Sequence, residues 1–176
     1  MRTRYTIREP DFPYFVTCTV VNWIPLFTRK PYFDIVIDAL RFCREHKGLK
    51  VHAYVILDNH LHLVVAGPKL ADILRDFKSY TAKRLIAQLE QEQKTWVLNQ
   101  LKYYKQPTKT RSDYQVWQEG FHPQQIVSEE MLRQKIDYLH HNPVRIGVVE
   151  QPEDWVYSSA GDYAGGHSIM EVDPLA

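Results

Sequence analysis

The chain of 176 residues is 44% hydrophobic and 24% charged, a balance that excludes wholesale disorder and suits one domain with a real core, expected over residues 1–176. Cys18 and Cys43 are too few for a disulfide framework and read as small core residues. No apolar run reaches membrane-spanning length, and the charged N-terminus MRTRYTIREP lacks a signal-like apolar stretch, so a cytoplasmic location is expected.

The strand and helix signals follow in order. Residues 14–21 are rich in β-branched and aromatic side chains, which predicts a strand. Pro31 opens a helix through about His46, with Val36, Leu40 and Cys43 at helical spacing and Gly48 ending it. Residues 49–57 predict a second strand, Asp58-Asn59 a tight turn and residues 60–66 a third strand, which closes a hairpin. Gly67-Pro68 breaks the chain before a long helix to about Gln91. Leu70, Leu74, Phe77, Leu85 and Leu89 share one of its faces, and Arg75, Ser79 and Lys83 run down the other. Residues 94–114 show no clear period and mix bases with aromatics. Residues 114–127 predict a fourth strand, broken near Gly120 and Pro123.

Ser128 caps a last regular helix, with Glu129 and Glu130 in its first turn and Pro143 expected to mark its end. From about residue 148 the tail reads as looser and acidic. The order β-α-β-β-α-β plus a helix gives an α+β, ferredoxin-like split βαβ fold. It has an antiparallel sheet with helices on one face and an added C-terminal helix carrying Tyr138.

Charge is unevenly spread: residues 1–111 hold 19 Lys and Arg against 10 Asp and Glu, and residues 112–176 hold 3 against 11, within a net charge of +1. Such a basic region suits a polyanionic partner, or else a merely solvated surface. Alternate side chains of a strand share a face. Leu61, Leu63 and Val65 are therefore expected toward the helices, and His60 and His62 side by side on the other face. Two neutral imidazoles there can converge on one cation, or stand as two half-exposed histidines with no ligand. On the last helix Tyr138 and Asn142 are four residues apart and share a face, while Leu132, Ile136 and Leu139 form the docking stripe. Together these residues offer two imidazoles, an amide oxygen and a phenol.

Asp58-Asn59-His60-Leu61-His62-Leu63 resembles the HUH signature (U is a bulky apolar residue) of single-tyrosine DNA transposases. Asp137-Tyr138-Leu139-His140-His141-Asn142-Pro143-Val144-Arg145 resembles their nucleophile helix, especially that of the REP-associated tyrosine transposases. Phe77-Lys78-Ser79-Tyr80-Thr81 and Trp155-Val156-Tyr157-Ser158-Ser159 resemble further elements of that branch. The likeness runs in order over roughly residues 10–160. Asp58 stands where a proline is common, and His140-His141 fall at positions that vary in the family.

The resemblance implies a metal-dependent single-stranded DNA endonuclease and strand transferase acting on hairpin-forming repetitive extragenic sequences. His60, His62 and Asn142 would hold Mg²⁺ or Mn²⁺, and Tyr138 would attack the phosphate to give a 5′-phosphotyrosine and a free 3′-OH. The strand could then be rejoined without ATP. The tail beyond Gly147 points to the monomeric branch rather than to dimers that exchange the tyrosine helix. A conventional dimeric insertion-sequence transposase and a domesticated DNA-binding regulator are the alternatives. A single strand needs cations along a track and aromatic planes for its bases. Arg75, Lys78, Lys83, Lys102, Tyr103, Tyr104, Lys105, Lys109 and Arg111 are the candidates. Trp117 is expected in the core, Trp96 there or on the DNA path. Arg2, Arg4 and Arg8 are read as a basic arm or a disordered terminus.

Overall fold

Four strands form one antiparallel sheet in the computed structural model, which describes residue 7 and residues 12–175; the expected arm of Arg2, Arg4 and Arg8 lies outside the described residues. The strands are β1 (Tyr14–Thr19), β2 (Lys50–Ile56), β3 (His60–Ala66) and β4 (Gln124–Gln125), in the order β2-β3-β1-β4. This is the expected split βαβ arrangement. Helix α1 (Lys30–Lys47) starts with Pro31 in its first turn and stops at Gly48, whose φ of 72° is the left-handed conformation that glycine adopts without a Cβ penalty. Helix α2 (Leu70–Gln91) follows the hairpin. Both helices cover one face, where Val16, Cys18, Tyr54, Leu61, Leu63 and Val65 pack against Val36, Leu40, Leu74, Phe77 and Leu85. Cys18 and Cys43 are free, buried thiols within this core. Among the described residues no helix is long and apolar enough to cross a membrane.

The opposite face is covered by α4 (Glu129–Arg145), whose Ile136 and Leu139 meet Phe15, Ala53, Val55 and Val64. The Ser128 hydroxyl accepts the Met131 N–H, as its N-cap position predicts. The helix does not stop at Pro143. It runs on to Arg145, with Pro143 inside it, and the Ile146 N–H reaches back to the Asn142 carbonyl. Proline forfeits its own N–H bond and crowds the carbonyl four residues back, yet the bonds beyond it keep the last turn.

Three further expectations are corrected. Residues 94–114 contain a helix, α3 (Thr95–Tyr103), whose Leu101 is buried while Val97 and Leu98 pack on the core. The fourth strand is only Gln124–Gln125; before it, Trp117 makes an isolated bridge to Val20, and its buried ring lies in the core as expected. The acidic tail is fastened rather than loose. Tyr157 and Ser159 exchange main-chain bonds with Ile56 and Tyr54, and α5 (Ala160–Tyr163) follows. Asp173 then accepts two bonds from Arg44 at 2.9 and 3.2 Å and one from the Val51 N–H at 2.8 Å. These contacts cover the outer edge of β2, which would otherwise expose unpaired main-chain groups.

Candidate functional site

The register of β1 on β3 sets Thr17 opposite His62 and Thr19 opposite His60. Paired residues share a face, so both imidazoles lie on the α4 side of the sheet, as the alternation of the strand predicts. Their rings are edge to face, with centroids 4.8 Å apart. Each Nδ1 is engaged by a neighbour: His60 with the Asn59 Oδ1 at 2.7 Å, His62 with the Thr17 hydroxyl at 2.8 Å. When Nδ1 carries the proton, as the carboxamide oxygen of Asn59 requires of His60, Nε2 keeps a lone pair. Burial pushes the His62 pKa down to about 3, aided by His60, Arg145 and Lys135, and burial also lowers that of His60. Both rings are therefore neutral at ordinary pH, the form a cation requires.

Helix α4 brings Tyr138 to this pair. Its ring centroid lies 5.7 Å from that of His62 and 6.0 Å from Phe15, which itself stacks on His62 at 5.1 Å. Tyr138 is 46% exposed, so its hydroxyl is within reach of a bound molecule. Asn142, one turn on, is buried. Its Nδ2 is the one buried side-chain polar atom without a hydrogen-bond partner among the described residues. A half-turn of the carboxamide exchanges nitrogen for oxygen, so this unpaired position suits the carbonyl oxygen that a cation prefers. Among the described residues no third His, Cys, Asp or Glu joins the two histidines. Asn142 is the remaining expected ligand, and its unpaired amide fits that role.

Arg145 was not singled out in the sequence, although it stands two helical turns beyond Tyr138. Its guanidinium lies 4.4 Å from the centre of the Tyr138 ring and donates to the Tyr138 carbonyl at 2.7 Å. Lys135 sits 4.8 Å over the Phe15 ring. Arg145 thus lies against the phenol ring, and Lys135 lies over Phe15, whose ring stacks on His62. Thr17 and Asn59 were also missed. Asn59 adjoins the histidine motif, whereas Thr17 is found only through strand register.

The expected DNA-binding residues separate into groups. Arg75, Lys83, Lys109 and Arg111 line a cleft of about 1110 Å³ between α2 and residues 109–121. Arg75 is ion-paired with Asp72 and Lys109 with Glu119, both on the surface. Lys102, Tyr103 and Tyr104 are exposed at the end of α3, and Trp96 is exposed at its start rather than in the core. Lys78, which also lines the cleft, and Lys105 have partners within the chain. The Lys78 amine donates to the Gln118 and Gly120 carbonyls, both at 2.6 Å, and burial lowers its pKa. The Lys105 amine donates to the Lys109 and Ser112 carbonyls. Each amine uses two of its three donors to hold the chain segment together. The cleft lies on the helix side of the sheet and is joined to β1 through the main chain. Phe121, in its wall, accepts the N–H of Thr17 at 2.8 Å.

No family model matches the chain. A Haemophilus influenzae protein assigned to the REP-associated tyrosine transposases is 30% identical over 128 residues, 73% of this chain and 68% of that protein. An Escherichia coli REP-associated tyrosine transposase is 27% identical over 127 residues, 72% of this chain and 64% of its own length. Among solved structures, a REP-associated tyrosine transposase bound to a REP hairpin superposes with a TM-score of 0.66 at 18% identity. That match covers 100% of this chain and 94% of the other, and it establishes a shared fold.

Proposed function

The chain belongs to the REP-associated tyrosine transposases, and from that premise we propose that it nicks and rejoins single-stranded DNA beside a hairpin, with Tyr138 as nucleophile. The observation that carries this reading is the meeting of Tyr138 with His62 of the same chain, centroids 5.7 Å apart, with His60 4.8 Å from His62 and Asn142 one turn along α4 from Tyr138. The contact of Tyr138 with His62 of its own chain favours a monomer over a dimer that exchanges the tyrosine helix. The residues described are read as one such domain.

His60 and His62 through Nε2, with the Asn142 carbonyl oxygen, would hold Mg²⁺ or Mn²⁺. The ion, when bound, supplies Lewis-acid stabilisation of charge developing on the phosphate oxygens. The chain's own residues do the rest. The Tyr138 oxygen attacks phosphorus and loses its proton to water at the half-exposed site. The bond from phosphorus to the 3′-oxygen breaks, and that oxygen leaves with the electron pair and takes a proton. A 5′-phosphotyrosine and a free 3′-OH result, and attack by another 3′-OH reverses the sequence. Arg145 holds the ring and adds positive charge beside the incoming phosphate. The cleft of Arg75, Lys83, Lys109 and Arg111 suits the phosphates of the hairpin stem or its flank.

The test is cleavage of a labelled hairpin with single-stranded flanks, compared with the same flanks in duplex form, in Mn²⁺. The wild type should cut only the single-stranded flank. His60→Ala and His62→Asn should lose cleavage while melting cooperatively near the wild-type temperature. Equal cutting of duplex, or normal cleavage by either variant, would overturn the reading.

A further inference from the structure

The segment Val20-Val21-Asn22-Trp23-Ile24-Pro25 leaves β1 directly beside the histidine turn. Its apolar members Val20, Val21, Ile24, Leu26 and Phe27 are all buried. Trp23 turns outward, with Asn22 and Pro25, and is 63% exposed. The backbone reaches this arrangement through two consecutive left-handed residues, Asn22 at φ 51° and Trp23 at φ 50°. Asparagine tolerates that conformation, whereas for a bulky residue it is strained. Such strain persists only where the surroundings enforce it, and it clusters at sites of function.

Here the enforcing contacts lead to His60. The Asp58 carbonyl accepts from the Leu26 and Phe27 N–H groups, both at 2.8 Å, and the Asn59 carbonyl accepts from the Val20 N–H at 2.9 Å. The Asn59 side chain then bridges outward. Its Nδ2 donates to the Trp23 carbonyl at 3.2 Å, while its Oδ1 meets the His60 Nδ1 at 2.7 Å. One carboxamide therefore ties the main chain that carries the exposed indole to the imidazole ring. An exposed aromatic plane on main chain tied to a candidate metal-binding histidine, at a cost in backbone strain, suits a flat apolar ligand that must be placed relative to that histidine. In a single strand whose phosphate sits at the histidines, that ligand is a neighbouring base.

We infer that Trp23 is a positioning residue that stacks on a nucleobase of the single strand next to the scissile phosphate. The inference rests on the proposed action on single-stranded DNA. Stacking does not read the base edge, so the contact sets the placement of the strand and tolerates any base.

The test measures binding of the intact protein to a hairpin with single-stranded flanks, using a series of oligonucleotides with one abasic position each, in Mn²⁺. Trp23→Gly should bind about 5- to 100-fold more weakly, with an unchanged salt slope because stacking releases no counterions. Trp23→Phe should keep most of the affinity. One abasic position in the wild-type complex should weaken binding comparably and have no further effect in Trp23→Gly. Trp23→Gly should also melt at or above the wild-type temperature, since glycine relieves the left-handed strain. Wild-type affinity in Trp23→Gly, or additive losses at every abasic position, would overturn the inference while leaving the proposed function standing. A markedly lowered melting temperature for Trp23→Gly would mean a packing role and overturn it too. If the wild type fails to prefer single-stranded flanks over duplex, the proposed function fails first.

Discussion

Thr17 and Arg145 act on the site through other residues. Thr17 meets His62 at Nδ1, so Thr17→Val, nearly the same shape, removes the partner that orients the ring. Loss of such a partner typically costs about 10- to 100-fold in metal affinity. Mn²⁺ titration followed by electron paramagnetic resonance should show that loss with little change in melting temperature; unchanged affinity would remove Thr17 from the account. Arg145→Ala should slow single-turnover adduct formation about 10-fold, the size expected from losing a partly exposed cation–π contact. Arg145→Lys should recover only part of this, because an ammonium lacks the planar face of a guanidinium. An unchanged rate in Arg145→Ala would show that the ring needs no such support. The histidines were legible because strand alternation alone decides their face. Thr17 was not, because its partner lies 45 positions away and is selected by the register of β1 on β3.

Elements divide in the same way between what local patterns decide and what packing decides. Helices α1 and α2 carry periodic apolar faces and clear stops, and both were legible. Helix α3 was hidden although Val97, Leu98 and Leu101 turn inward, because Trp96 and Tyr103, the latter 79% exposed, put apolar residues on its outer side. Pro143 suggested a helix end, but the last turn is held by the Ile146 N–H on Asn142 and by Arg145 on Tyr138. Lys78, read as a DNA contact, is a bracket between α2 and the Gln118–Gly120 bend. Lys78→Met should lower stability by about 1–3 kcal/mol, as expected when two hydrogen bonds from a charged donor are lost. It should leave the salt slope of DNA binding unaltered, whereas Lys83→Ala and Arg111→Ala together should flatten the slope by about 2. A flatter slope in Lys78→Met would return that residue to the DNA path.

Across the whole molecule the charge asymmetry of the sequence becomes a spatial one. The cleft cations lie toward the β1 and β4 side, and the acidic tail is fastened along β2 at the other edge of the sheet. The tail reads as loose in sequence because its anchors, main-chain bonds to β2 and the Asp173 carboxylate, lie about 100 or more positions from their partners. Burial alone would raise the pKa of Asp173, but Arg44 and the Val51 N–H together hold it below the ordinary value of 3.8. Its stabilising contribution is thus fully present above about that value and is lost as pH falls through the lower pKa of the folded state. Asp173→Asn should melt at a lower temperature than wild type at pH 7, with the difference shrinking toward pH 3; a constant difference would contradict the assignment. The central claim concerns which tyrosine carries the DNA. Tyr80, Tyr103 and Tyr104 are also exposed, but among the described residues only Tyr138 meets the histidine pair. Mass spectrometry of the protease-digested covalent adduct, formed with a hairpin oligonucleotide in Mn²⁺, should place the phosphate on the peptide containing Tyr138 and find no adduct in Tyr138→Phe. Phosphate on any other tyrosine, or an undiminished adduct in Tyr138→Phe, would contradict the account.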